Sequence, residues 1–232
     1  TTFALNVASF TSLALRRTVA FFSLDQNAEE IGLRLIALHG GIDLSRLRSG
    51  QMEDADWPAC TAASELLAGA NLLIDDTRTF SFEEFRSRAI HAAATMHLDL
   101  LIIDNVQHFL AFVEDNRTYF IDRSIARQLQ SLTRELNIPI LAISRLAGDN
   151  YFFSGALTES YFRGCGPIEC AADMLFFLHR AECRNPKTKR KGTAELIVAR
   201  QRRGPLGTVK FAFDGRYARF SPRNPCVAPN AD

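Results

Sequence analysis

The chain has 232 residues, of which 47% are hydrophobic and 23% are charged, and its formal net charge is +1. This composition is that of an ordinary globular protein with a sizeable core, and one α/β domain fits the length. The near-neutral charge excludes nucleic-acid binding by bulk attraction, although a local basic channel stays open. No apolar stretch reaches the ~18 residues that cross a membrane, and no signal peptide is visible. The five cysteines show no CxxC pairing, which indicates reduced cysteines of an intracellular protein.

Helix and strand patterns alternate along the first part of the chain. Apolar periodicity predicts helices over residues 2–17, 28–39, 43–49, 53–67, 81–96 and 121–136. A buried strand is predicted over residues 19–24, a short strand over 71–74, a strand buried on both faces within 98–107, and an interior strand over 138–143. Trp57 is expected to anchor neighbouring helices. The alternation predicts an α/β fold with a mainly parallel sheet and helices on both faces.

The last part of the chain has a different pattern. Residues 173–178 and 194–199 are predicted to be two more strands. Residues 209–220 alternate between apolar and polar around Asp214 and Gly215, which predicts a hairpin and therefore an antiparallel edge. The twelve residues that follow contain three prolines and are predicted to be a tail.

The run LDLLIIDNVQ, residues 98–107, is the most informative segment. It is apolar enough to be buried on both faces of a parallel sheet, and it ends in a single carboxylate, Asp104. A buried carboxylate is costly unless it meets a cation or hydrogen-bond donors. Asp104 lies where the Mg²⁺ of a bound nucleotide would lie, at the carboxyl end of a strand. The alternative is an Asp that caps the next turn.

Three predicted strands end in polar residues, and parallel strands end at the same edge of a sheet. These residues are Asp25, Asp104 and the pair Ser144-Arg145. Two carboxylates and a cation at one edge suit a metal-bound phosphate and a water molecule to be activated. The alternative is that each residue caps its own turn.

Two further segments are candidates for binding. Arg200 and Arg202 alternate in the segment RQRRGP, so an extended chain places both on one side, where they suit phosphate bound by a neighbouring subunit. The alternative is a solvated basic edge. Residues 145–167 form a long aperiodic segment, whose aromatic residues suit either base stacking or packing against another subunit. The histidines show no metal-ligand spacing and are interpreted as structural or surface residues.

The order of these motifs resembles the C-terminal, RecA-like motor domain of DnaB-type replicative helicases. The resemblance extends from Thr1 to about Phe220. It is carried by eight segments in order: TTFALNVA (1–8), VAFFSLD (19–25), DLSRLRSGQMEDADW (43–57), LLIDDT (72–77), LDLLIIDNVQ (98–107), LNIPILAISRL (136–146), IECAADMLFFLHR (168–180) and AELIVARQRRGPLGTVKFAFDGRYARF (194–220).

The resemblance implies a RecA-like P-loop NTPase fold with a C-terminal antiparallel hairpin. It implies an ATP-driven hexameric ring that moves 5′ to 3′ on single-stranded DNA, with ATP and Mg²⁺ bound, in the cytoplasm and without a membrane. A helicase loader and primase are further partners that it implies. The motor domain would span residues 1–220 and the tail residues 221–232. In the family, a strand and a phosphate loop ending in Gly-Lys-Thr precede the helix that TTFALNVA resembles. We therefore expect a fragment of a longer protein, with buried sheet edges left open.

The resemblance also assigns roles to single residues. Thr1 would contact Mg²⁺ together with Asp104, and the nucleotide-binding residues would be Thr1, Thr2 and Arg145. Asp25 would orient the attacking water, where the family has a glutamate that is one methylene longer. Arg145 stands where the family has a glutamine.

The two finger arginines complete these assignments. Arg200 stands where the family has a lysine, and Arg202 matches the family arginine. The catalytic residues are therefore expected to be Asp25, Asp104, Arg200 and Arg202.

Two alternatives to an active helicase motor stay open. A degenerate DnaB-like paralogue would keep the fold as a ring-assembly or loader-binding module. Asp25, Arg145 and the missing loop motivate this interpretation. A filament-forming, recombinase-like ATPase is the other, although the hairpin and the RQRRG segment favour the helicase branch.

Overall fold

The computed structural model describes residues 1–79, 81–109, 123–145, 168, 171–183 and 185–223. Its helices lie close to the predicted positions. They are α1 (Thr2–Ser9, continued by a π-helical turn, Phe10–Ala14), α2 (Ala28–Gly40), α3 (Leu44–Ser49), α4 (Asp56–Ala68), α5 (Phe82–Met96) and α6 (Arg123–Leu136). A 3₁₀ turn, Val106–Phe109, follows the third strand.

The first four strands form a parallel sheet. They are β1 (Val19–Ser23), β2 (Leu72–Asp75), β3 (Leu100–Asp104) and β4 (Ile140–Ile143), in the order β2-β1-β3-β4. The side chains of β1 are all buried, as is every residue of β3 after Leu100, which explains why these two segments are unbroken apolar runs in the sequence.

Helices cover both faces of this sheet, as predicted. On one face, Phe22 and Ile103 pack with Phe85 of α5 and Leu132 of α6. On the other face, Phe21 and Ile102 pack with the apolar sides of α1 and α2, which contribute Ala4, Leu5, Ala8, Ile31 and Leu35. Because β1 and β3 are packed on both faces, their positions in the sheet are fixed. The positions of their carboxyl ends are therefore fixed as well.

The remaining strands form a second, antiparallel sheet in chain order. They are β5 (Met174–His179), β6 (Thr193–Gln201), β7 (Gly207–Asp214) and β8 (Arg219–Pro222). The predicted hairpin is confirmed, with Asp214 opposite Arg219. The antiparallel part is larger than predicted, because β5 and β6 also run in opposite directions. In its described residues, the connection between them contains a 3₁₀ turn, Ala181–Cys183, and not the crossover helix that usually joins parallel neighbours.

Side chains of α1 join this sheet to the parallel one. The Asn6 amide donates to the carbonyl oxygen of Ala218 at 2.8 Å and accepts from the backbone nitrogen of Phe220 at 3.0 Å. The Phe3 ring packs edge-on against Phe220 and Phe211, with centroids 5.4 and 6.1 Å away. The start of α1 is therefore held by the β7–β8 hairpin.

Two expectations from the sequence were wrong. Within the described residues, β4 pairs with β3 alone, so it is a half-buried edge strand and not the interior strand that its apolar run suggested. Trp57 is 58% exposed at the start of α4 and does not anchor neighbouring helices.

Two further findings concern membrane-spanning helices and the state of the cysteines. No helix in the described part of the chain is both long and apolar enough to span a membrane. Cys60 and Cys183, the cysteines in the described ranges, are free thiols.

Candidate nucleotide site at the strand ends

The carboxyl ends of three parallel strands lie level with one another. Ser23 is opposite Asp104 in the pairing of β1 with β3, and Asp104 is opposite Ile143 in the pairing of β3 with β4. The Leu24 N–H donates to the Asp104 carbonyl at 2.8 Å, which extends the β1–β3 contact past the strand end. The residues that follow these strands therefore meet at one edge, as the sequence predicted.

Asp104 points toward the start of α1 and does not cap the next turn. Its carboxylate is in a residue only 3% exposed, and its Oδ2 lies 3.4 Å from the amino nitrogen of Thr1. In the described residues, the side chain that caps the turn is the next one, Asn105, whose Oδ1 accepts from the Gln107 N–H at 3.2 Å. The arrangement leaves Asp104 facing Thr1, the residue that the family resemblance pairs with it as a metal ligand.

Asp25 also has no capping role. The cap of α2 is Asn27, whose Oδ1 accepts from the Glu30 N–H at 2.9 Å. The Asp25 carboxylate instead forms an ion pair with Arg145, and His108 Nε2 lies 3.6 Å from its Oδ1. The structure therefore brings Asp25 and Arg145, from the ends of β1 and β4, into direct contact.

Gln107 fixes the backbone beside this ion pair. Its Nε2 donates to Ser144 Oγ at 2.8 Å and to the Arg145 carbonyl at 2.9 Å. These bonds tie the turn after β3 to the end of β4 and hold the Arg145 backbone in place. The Arg145 side chain itself is 66% exposed.

Thr2, the other predicted nucleotide contact, is held from α2. Its hydroxyl accepts from Arg34 Nη1 at 3.2 Å, and Arg34 Nε lies 3.2 Å from Glu30 Oε1. Glu30 also pairs with Arg48, and this hydrogen bond, followed by the charges of both arginines, lowers the pKa of Glu30. Thr2 is thus connected to α3 through two arginines and one carboxylate.

The two arginines of the RQRRGP segment are held close to the start of β5. Arg200 Nη2 donates to the Ala172 carbonyl at 2.5 Å, and Arg202 Nε lies 3.0 Å from Asp173 Oδ1. Strand β6 ends at Gln201, so Arg202 lies just past it and is 70% exposed. The contacts described for the two arginines thus run to residues 172–173. Within the part of the chain that the structure describes, Arg202 pairs with Asp173 and not with a strand-end carboxylate.

Sequence reasoning missed three residues of this site. His108 and Gln107 directly follow the Asp104 strand, so their place in the chain was the available signal. A search for metal-ligand spacing passed over His108. Arg34 carried no motif, since nothing in the spacing of α2 points to Thr2. The aromatic segment predicted over residues 145–167 lies outside the described residues from 146 onward.

The oxygen donors at the strand ends suit a small, hard cation that takes most of its coordination from a bound nucleotide and water. They are carboxylate and hydroxyl oxygens, which Mg²⁺ prefers. Within the described ranges, no cluster of three or more His, Cys, Asp or Glu side chains could enclose a metal by itself. Mg²⁺ usually takes one or two protein carboxylates, with phosphate and water oxygens for the rest. The residues present therefore fit a nucleotide-bound Mg²⁺.

Comparison with solved structures gives the fold family. The chain superposes on a structure described as "The Structure Of A DnaB-Like Replicative Helicase And Its Interactions With Primase" with a TM-score of 0.85 and 26% identity, covering 97% of this chain and 54% of that one. It superposes on the "ATPase Domain of G40P" with a TM-score of 0.84 and 27% identity, covering 96% and 80%. A KaiC-like protein from Pyrococcus horikoshii shares the fold alone, at a TM-score of 0.61 and 14% identity. The fold is RecA-like, as predicted.

Sequence comparison agrees. The chain is 34% identical over 229 residues to the replicative DNA helicase DnaB of Buchnera aphidicola subsp. Baizongia pistaciae, and 34% identical over 223 residues to the replicative DNA helicase DnaC of Bacillus subtilis. The alignments cover 95% of this chain but 48% and 49% of those proteins, so the chain spans about half their length. The family model for the DnaB-like helicase C-terminal domain matches residues 1–222, and the chain belongs to this family of ATPase domains.

Proposed function

We propose that this chain is the ATP-hydrolysing motor domain of a replicative DNA helicase, working as a ring of six copies that moves 5′ to 3′ on single-stranded DNA in the cytoplasm. Membership of the DnaB-like family supports ATP binding. The observation that carries the proposal is Asp104. Its buried carboxylate faces Thr1 at the strand-end edge that also holds Asp25.

Within one copy, each strand-end residue has a task that suits its position. Asp104 and the Thr1 hydroxyl would hold Mg²⁺, Asp104 through water. Bound Mg²⁺ would offset the negative charge of the phosphates. Asp25 would orient the attacking water and accept its proton, while Thr2 and Arg145 would contact phosphate oxygens. Because Asp25 is one methylene shorter than glutamate, a misplacement of ~1 Å at this carboxylate would lower the rate by on the order of 10²-fold.

The two arginines would act on the nucleotide of the next copy in the ring. Arg200 Nη2 donates to the Ala172 carbonyl, and Arg202, whose side chain is mostly exposed, pairs with Asp173. Arg200 and Arg202 would stabilise the charge that develops on the neighbour's phosphates, a contribution that is worth about 10³-fold or more in nucleoside triphosphatases with an arginine finger.

Single-stranded DNA would pass through the channel of the ring and be gripped by loops that move with hydrolysis. Primase is a further partner that we propose, because a similar DnaB-like helicase structure is described with its interactions with primase. A helicase loader is another.

The experiment is DNA-stimulated ATP hydrolysis by the intact protein. We expect Arg202→Ala to lower the stimulated rate by about 10³-fold. The neighbouring exposed substitution Arg203→Ala is the matched control and should leave the rate within about two-fold. Unchanged hydrolysis in Arg202→Ala would refute the role of this arginine.

A mixing experiment tests whether the site is shared between copies. Asp104→Asn removes the carboxylate side of a site, and Arg202→Ala removes its arginine side. In rings mixed equally from the two variants, about a quarter of the interfaces combine an intact carboxylate with an intact arginine. We expect hydrolysis to reappear in the mixture, whereas a site built within one chain would give none.

The second candidate is a degenerate paralogue that assembles rings or binds a loader without hydrolysing ATP. The observation in its favour is that Arg145 already occupies the Asp25 carboxylate. The residues encoded before Thr1 discriminate between the two. A glycine-rich loop ending in Gly-Lys supports the motor, and its absence supports the module.

A further inference from the structure

The Asp25 carboxylate is engaged from two sides. Arg145 forms an ion pair with Oδ2, and His108 Nε2 lies 3.6 Å from Oδ1. A carboxylate that accepts hydrogen bonds from a guanidinium group has fewer lone pairs to offer a water molecule. In this arrangement Asp25 is not free to act as the base that the proposed function requires.

The Arg145 side chain can move while the Arg145 backbone stays in place. The Arg145 backbone is held by Gln107, which donates to the Arg145 carbonyl and to Ser144 Oγ. The Arg145 side chain is long and 66% exposed, and the Asp25 side chain is 36% exposed. The guanidinium group can therefore leave Asp25 by rotation of its own side chain, without displacement of the sheet.

A phosphate group at the strand ends would compete with Asp25 for this guanidinium. Arginine binds phosphate with the same bidentate geometry that it uses for carboxylate. A terminal phosphate carries more negative charge than one carboxylate, so it attracts the guanidinium group of Arg145 more strongly than Asp25 does.

We propose that the Asp25–Arg145 ion pair is a latch, which keeps Asp25 occupied until the terminal phosphate of a nucleoside triphosphate draws Arg145 away. The inference rests on the proposed function and adds regulation to the same site. A diphosphate lacks the group that opens the latch, so the latch distinguishes the two nucleotide states. Exposed ion pairs of this kind shift an equilibrium by about two- to five-fold.

The test is a binding cycle with four proteins: wild type, Asp25→Asn, Arg145→Gln and the double variant. Each is titrated with Mg²⁺ and either a non-hydrolysable ATP analogue or ADP, and hydrolysis is not needed. If Arg145 is shared between Asp25 and the terminal phosphate, Asp25→Asn tightens analogue binding about two- to five-fold more when Arg145 is present than when it is Gln. ADP binding should show no such difference.

A matched pair elsewhere controls for the general effect of removing a carboxylate from an exposed ion pair. Arg86 and Glu135 form such a pair at 2.7 Å, with both side chains about as exposed as Asp25. Glu135→Gln should leave the affinity for both nucleotides unchanged. Arg145→Lys keeps the charge and should retain part of the difference between analogue and ADP.

The outcomes separate the latch from the proposed function. An equal effect of Asp25→Asn with Arg145 and with Gln, or no effect at all, overturns the latch and leaves the motor proposal standing. Equal coupling for ADP and for the analogue also overturns it, because the latch would then not sense the terminal phosphate. Failure of the wild-type protein to bind either nucleotide overturns the proposed function itself.

Discussion

Asn6 is the polar contact between α1 and the hairpin, and its removal should weaken the fold measurably. Its side chain donates to Thr2 and Ala218 carbonyls and accepts from the Phe220 N–H. Ala218 is only 4% exposed, so water cannot easily replace the lost donor there. Asn6→Ala leaves the Ala218 carbonyl and the Phe220 N–H without these partners. Each buried polar group that loses its hydrogen bond costs about 1–3 kcal/mol.

The helix offsets a small part of this loss. Alanine is the better helix former, which returns about 0.5 kcal/mol in α1. The net decrease in the free energy of unfolding is therefore about 1.5–5.5 kcal/mol. At about 2–4 °C per kcal/mol for a chain of this size, the Tm falls by about 3–20 °C.

The assay is urea unfolding of wild type and variant, with the midpoint and the slope fitted separately. A lower midpoint at constant slope reports stability alone. Asn185→Ala is the control, because the described hydrogen bond of the Asn185 side chain, accepted from the Lys187 N–H at 3.0 Å, lies in an exposed turn. We expect less than about 0.5 kcal/mol there. A loss below about 1 kcal/mol in Asn6→Ala would refute the reasoning, since it would mean that α1 is held by packing alone.

Three further predictions concern stability. Phe85 is fully buried and packs on Phe22, Phe82 and Phe109. In the same assay, Phe85→Ala should lower the free energy of unfolding by about 3–5 kcal/mol, and Phe85→Leu should lower it by clearly less. Similar losses in the two variants would contradict the packing argument. Asn27→Ala removes the cap of α2 and should cost about 1 kcal/mol, while Asn27→Asp should be nearly neutral; equal losses would show that the cap does not matter. Burial, and then the charge of Arg219, lower the pKa of His39 from 6.5, so the folded state binds its proton less readily than the unfolded state does. The contribution of His39 to the free energy of unfolding is fully present above pH 6.5 and decreases as the pH falls below that value. His39→Gln should therefore flatten the pH profile of the free energy of unfolding between about pH 7 and 5. An unchanged profile would contradict this.

The parallel half of the fold was predictable because burial on both faces leaves a clear pattern. The strands β1 and β3 begin and end within a residue or two of their apolar runs, and α5 begins one residue after the predicted start at residue 81. The direction of β5 and β6 was not predictable in the same way. Apolar residues report burial but not the sense in which a strand runs, so the extent of the antiparallel sheet emerged only from the structure.

The candidate site was predictable in its parts but not in its pairings. Level strand ends follow from a parallel sheet, so Asp25, Asp104 and Arg145 were expected at one edge. Whether Asp104 caps a turn or faces the start of α1 depends on the next residue, Asn105, which takes the capping role. The Asp25–Arg145 ion pair depends on two exposed side chains from distant segments, and sequence spacing does not specify their rotamers.

Because α1 is held by the β7–β8 hairpin, a rotation of α1 would be transmitted to the second sheet. Phe3 and Asn6, which lie in α1 close to the proposed phosphate contact Thr2, contact Phe211 of β7 and Phe220 of β8. Phe211 is opposite Ala194, near the start of β6. Arg200 stands six residues farther along β6, about 20 Å away at the usual strand rise. A tilt of about 5° at the α1 grip therefore carries Arg200 through about 2 Å, more than half the length of a hydrogen bond. A small rotation of α1 would therefore displace Arg200 by more than it displaces the hairpin residues that contact α1.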